Sequence, residues 1–199
     1  MKNSLIIVAF FTVGILVGIR ISRAGYAPEF DPSLYALYIL LFLIGLSLGA
    51  DKRFRQMLTM VRPAILLVPL SVIVGTGLAA LGVSFLLRDL TVRELLAIGS
   101  GFGYYSLSSV IITQVRGPSL GVIALLANIT REIVTLLLAP VLARYLGKLA
   151  PIAAGGATAM DTTLPVITRF SGKEYAVVAV FSGLVLTLLV PLLVTLFLH

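Results

Sequence analysis

The sequence predicts an all-α fold, a polytopic transmembrane helical bundle in which some helices are discontinuous, broken or re-entrant. Three observations carry that prediction. The 199 residues are 59% hydrophobic with a mean hydropathy of +1.13, and several apolar runs approach the roughly 20 residues that a bilayer core requires. Basic residues mostly punctuate those runs, where loop charges and headgroup anchors belong. Two runs are interrupted by glycine clusters, and one of these also holds a charge and a proline, features that a uniform membrane helix does not accommodate.

About seven hydrophobic segments can be drawn, over residues 4–21, 33–50, 63–87, 95–115, 119–145, 151–167 and 175–197. The first follows Lys2 and resembles a signal peptide, but Arg20 and Arg23 stand where a small-residue cleavage site should be, so it reads as a retained helix. In the fourth, Gly99-Ser100-Gly101-Phe102-Gly103 precedes Tyr104-Tyr105-Ser106-Leu107-Ser108-Ser109. Glycines at alternate positions weaken a helix, and the hydroxyls can satisfy freed backbone groups. The sixth runs from Ala153 through Gly155, Gly156, Thr158, Asp161, Thr162 and Thr163 to Pro165. Both read as broken helices, with Gly101, Gly103, Gly155, Gly156 and Pro165 at the breaks. Close helix packing on small residues is the alternative for the glycines. The connecting loops, such as 51–62 and 88–94, are short, and residues 1–199 read as a single transmembrane domain.

Lys52, Arg53, Arg55 and Arg62 cluster against Asp51 in the second loop, which places that loop in the cytoplasm. Seven spans in a cell membrane then leave the N-terminus inside and the C-terminus outside. Arg20, Arg23, Arg88, Arg93, Arg144 and Lys148 on the other side make the bias slight. A net charge of +7 would suggest nucleic acid as the partner of a soluble protein; here the expected surroundings are membrane lipid. With no cysteine, disulfides and thiol catalysis are excluded, and His199 is the one histidine, so no histidine-based metal or nucleophile chemistry and no cofactor is expected.

The residues that demand a functional account are Glu132 and Asp161, carboxylates deep inside apolar segments. Glu132 is midway through the fifth segment, and a 3.6-residue period puts Asn128 and Thr135 on its face, with Gly121 and Ala139 farther along. Arg131 is turned about 100° away. It is a charge partner for Asp161 or Glu132, or meets a backbone carbonyl instead. Two acids against one base leave a carboxylate over. Carboxylates with neutral oxygens nearby, from Asn128, Ser106, Ser108 and Thr162, suit an ammonium group, Na⁺ or a proton better than an anion. A structural ion pair that fixes helix register is the plainer reading of the same residues.

Three stretches together resemble the prokaryotic lysine exporter family: 100–108, Asn128 with Arg131-Glu132, and 156–165. The similarity extends from Leu40 to the last segment. The resemblance implies export of L-lysine and toxic lysine analogues by proton antiport, through a cation/proton antiporter-like fold with crossed discontinuous helices. Asp161 and Glu132 then match the family's intramembrane acids. Longer family members carry an additional N-terminal block of helices, which leads to the expectation of a homodimer or a small membrane partner subunit.

In this reading Asp161 or Glu132 binds either the lysine ammonium or a proton, never both, while Asn128 and the hydroxyls orient the substrate. The alternatives are a cation channel, a structural subunit of a membrane complex, or an antiporter for another substrate. An enzyme is not expected, because an intramembrane protease needs paired aspartates, a Ser–His dyad or zinc ligands.

Overall fold

Helix formation follows the apolar runs, and it fails where glycine and polar residues interrupt them. The structure, a computed structural model, describes residues 2–23, 35, 38, 39, 42, 43, 46, 50, 63–87 and 89–199. Most of the predicted segment 33–50, the basic loop with Lys52, Arg53, Arg55 and Arg62, and Arg88 lie outside the described residues. The chain divides into two units, Met1–Tyr38 and Ile39–His199. In the first, helix α1 spans Lys2–Arg23 and ends on Arg20 and Arg23, cations that suit the negative end of a helix.

In the second unit a 3₁₀ turn, Pro63–Leu66, leads into α2, Leu67–Ser84. Helix α3, Val92–Gly99, opens on a capping box. Thr91 Oγ1 accepts from Glu94 N–H at 3.3 Å, and Glu94 Oε2 accepts from Thr91 N–H at 2.8 Å. Those Thr91 donors, backbone first, hold the Glu94 carboxyl below its ordinary value. Then come α4, Tyr105–Arg116, and α5, Pro118–Tyr145. The predicted sixth segment becomes α6, Ala150–Gly155, a 3₁₀ stretch Gly156–Met160, and α7, Leu164–Ser171. A 3₁₀ turn, Lys173–Tyr175, joins α8, Ala176–Leu198.

No strand occurs among the described residues. Three of the described helices are long and apolar enough to cross a membrane, over Leu67–Ser84, Pro118–Tyr145 and Lys173–Leu198. The fourth and sixth predicted segments are each a pair of half-helices, too short singly to span.

Helix α8 is the centre of this unit. It buries Phe181, Gly183, Leu186, Val190 and Val194 and packs on α3, α4 and the 3₁₀ stretch. Its last carbonyls are satisfied from outside, by Arg116 Nη2 to Leu198 O at 2.9 Å and Arg93 Nη1 to His199 O at 3.2 Å. Helix α5 buries one stripe at helical spacing, Leu120, Gly121, Ala124, Asn128, Thr135, Ala139 and Ala143. Its small residues let the α4–α5 pair approach closely.

Candidate functional site

The break between α3 and α4 is made by two consecutive residues with positive φ, Phe102 at 47° and Gly103 at 95°. A phenylalanine in the left-handed region costs about 1–2 kcal/mol, and the surroundings hold it there. Its side chain is buried, and its carbonyl accepts from Ala157 N–H at 2.8 Å. The Gly103 N–H donates to Asn128 Oδ1 at 2.7 Å, while Asn128 Nδ2 donates to Ile98 O at 3.0 Å and Ala124 O at 2.9 Å. One amide on α5 therefore closes the gap in the neighbouring ladder. A Cβ at Gly101 would stand 2.6 Å from both Asn128 Nδ2 and Ser108 Oγ, so a side chain there would displace this clasp.

The second break turns on Gly156, whose φ of 62° and whose Cβ position against Phe102 O both require glycine. Thr158 Oγ1 donates to Gly155 O at 2.9 Å, replacing a lost ladder bond. Pro165 lies in the first turn of α7, where its missing N–H is harmless. The Ala157–Phe102 hydrogen bond means that the two breaks meet backbone to backbone. Helix α8 lies flush on the crossing because of Gly183, at which a Cβ would come within 2.8 Å of Ala157 O.

Arg131 makes no ion pair among the described residues. Its Nε donates to Ala154 O at 2.9 Å, Nη2 to Ala153 O at 3.0 Å and Nη1 to Thr76 Oγ1 at 3.1 Å. The guanidinium thus caps carbonyls at the C-terminal end of α6, which the break leaves short of partners. Of the two sequence readings for Arg131, the backbone-carbonyl one describes this geometry, and the charge-partner one does not.

Glu132 is half-buried in the α5 stripe between Asn128 and Thr135 and has no hydrogen-bond or ion-pair partner among the described residues. Asp161 ends the 3₁₀ stretch, exposed, and its carboxylate accepts from Thr162 N–H and from Thr162 Oγ1 at 3.3 Å. With Tyr104, Thr158, Met160 and Thr187 it lines a cavity of about 20 Å³, room for one water-sized occupant. No hydrogen bond or ion pair joins Glu132 to Asp161 among the described residues. Ser108 is buried and donates to Tyr104 O at 3.0 Å, whereas Ser106 is exposed on α4. Sequence reasoning passed over Thr76, Thr187 and Gly183. Thr76 had a signal, since it stands between Gly75 and Gly77 in an otherwise apolar helix.

Membrane-length helices, with two interrupted elements whose breaks meet backbone to backbone, define a helical membrane protein. The chain belongs to the family described as lysine exporter LysO, whose model matches residues 8–198. This is a family of transporters, not enzymes. The chain is 34% identical over 186 residues to "Lysine exporter LysO" of Escherichia coli, covering 92% of this chain and 61% of that protein. It is also 34% identical over 188 residues to "Putative lysine exporter" of Haemophilus influenzae, covering 93% of each. No solved structure matches the chain significantly.

Proposed function

We propose that the chain exports L-lysine and toxic lysine analogues across the cell membrane in exchange for protons, with Asp161 and Glu132 as the carboxylates that carry ammonium or proton in turn. The observation that supports this reading most is that neither carboxylate has a cation partner among the described residues, while Arg131 is occupied by carbonyls. A charge at bilayer depth costs roughly 2.5–3.5 kcal/mol, so two uncompensated carboxylates favour taking up a proton or an ammonium group. Mutual exclusion at such a site is sufficient for exchange. The names of the E. coli and H. influenzae relatives point to lysine as the substrate.

Export of a cation against an interior-negative potential of about 100 mV costs roughly 2.3 kcal/mol per charge. Exchange for one entering proton removes that term, and two protons would harness it. In this reading Asp161, beside the water-sized cavity at the crossing, is the main cation and proton site, and Glu132 is its partner. Asn128 is a positioning residue, because its carbonyl and one N–H hold the first break through Gly103 N–H and Ile98 O, and its other N–H is taken by Ala124 O of its own helix. Thr162 orients the Asp161 carboxylate. Ser108, tied to Tyr104 O, supports the break, and Ser106 contributes on the exposed side. The N-terminus is cytoplasmic, the C-terminus outside, and the working unit is two copies of the chain or one copy with a small membrane partner.

The test is lysine flux in proteoliposomes under an imposed pH gradient. Flux that follows the gradient and is lost in Asp161→Asn and Glu132→Gln supports the proposal; flux indifferent to the gradient, or retained in both variants, rejects it.

A further inference from the structure

Arg131 is the 14th of the 28 residues of α5, the middle of a helix about 42 Å long at 1.5 Å per residue. On its side an open groove of about 400 Å³ runs between α2, α5 and α6, lined by Arg131 with Ser71, Gly75, Thr76, Thr135 and Ala153 among others. That volume is in the range of small-molecule sites. The donors in the groove can be counted. A guanidinium has five N–H groups, and the three hydrogen bonds to Ala154 O, Ala153 O and Thr76 Oγ1 use one on each nitrogen. One N–H therefore remains on each of Nη1 and Nη2. Thr76 Oγ1 accepts from Nη1, so its own proton is available for donation. Ser71 and Thr135 donate instead to Val68 O and Arg131 O. Among the described residues no carboxylate lines the groove.

A cationic fork held rigid by two carbonyls, with a hydroxyl donor beside it, matches the two oxygens of a carboxylate. We propose that the Arg131–Thr76 groove binds the α-carboxylate of the transported amino acid. This rests on the reading of the chain as an amino-acid exporter, and it assigns the end of the substrate that Asp161 and Glu132 do not suit. It also gives Arg131 two tasks at once, because the group that caps α6 is the group that binds substrate. Occupation of the groove is thereby coupled to the second break.

The experiment compares binding of lysine with binding of cadaverine, which is lysine without its carboxylate, to purified full-length protein in nanodiscs. Wild type should prefer lysine by about tenfold or more, the range of hydrogen bonds to charged groups. Thr76→Val, close to isosteric, should cut that preference several-fold with cadaverine affinity unchanged, and Arg131→Lys, which loses the fork, should remove most of it. Lysine methyl ester should behave as cadaverine does. Equal binding of lysine and cadaverine by wild type, or a preference untouched by Thr76→Val, overturns the groove assignment while the lysine-export reading stands. Binding of neither ligand by wild type overturns both. Thr76→Val decides the matter if Arg131→Lys does not fold.

Discussion

Replacing Asn128 by leucine removes the amide clasp at the first break while keeping the same number and branching of side-chain heavy atoms. The buried Gly103 N–H then has no acceptor, because Asn128 Oδ1 is its partner, and Ile98 O and Ala124 O each lose one donor. An orphaned buried donor costs about 1–3 kcal/mol, and two net hydrogen bonds add about 0.5–1.5 kcal/mol each. The apolar side chain returns roughly 1–2 kcal/mol of that through burial, which leaves a net loss of about 2 kcal/mol. For a chain of this size that corresponds to a fall in Tm of about 4–8 °C. Size-exclusion thermostability in detergent measures it, with proteolysis near residues 100–104 reporting whether the break itself opens. Thr135→Val is the control, since Thr135 Oγ1 bonds only to Arg131 O within its own helix. An Asn128→Leu variant as stable as wild type, or no less stable than Thr135→Val, would refute the clasp.

Two further outcomes follow from the same geometry. Gly156→Ala should destabilise by more than about 2 kcal/mol, combining a left-handed φ with overlap against Phe102 O; thermostability within 1 °C of wild type would contradict it. Glu94→Gln should lower stability slightly at neutral pH, because the Thr91 donors hold the folded carboxyl below its ordinary value. A depressed folded pKa stabilises above the unfolded pKa and ceases to do so as pH falls through the folded one. The gap between wild type and Glu94→Gln should therefore close in acid, and a gap constant with pH would count against the capping box.

Much of this arrangement is legible in the residues. Glycines at 99, 101 and 103, and at 155 and 156, mark both interruptions, because a lipid-facing ladder tolerates such gaps only where other groups repair them. The polar face of the fifth segment, Asn128, Glu132 and Thr135, emerges as a partly buried stripe on α5. Other features depend on which elements cross. Periodicity cannot say that the Asn128 amide would be taken up by another helix's backbone, nor that Phe102 rather than a glycine would adopt φ 47°. Gly183 looks like an ordinary small residue in an apolar span until the 3₁₀ stretch is laid against it. The charge count at Arg131, Glu132 and Asp161 was sound as arithmetic. It leaves a carboxylate and a backbone carbonyl both open as partners of the cation, and the choice depends on the fold bringing Ala153 O and Ala154 O to Arg131.

The central claim, that lysine and protons compete for the same carboxylates, is tested most directly by proton release on binding. Lysine added to the purified protein in weakly buffered detergent solution, followed with a pH indicator, should release about one proton per lysine bound, because competing ligands displace one another reciprocally. Asp161→Asn should reduce that release sharply. Saturable lysine binding with no proton release at any pH at which the protein stays folded would contradict the account.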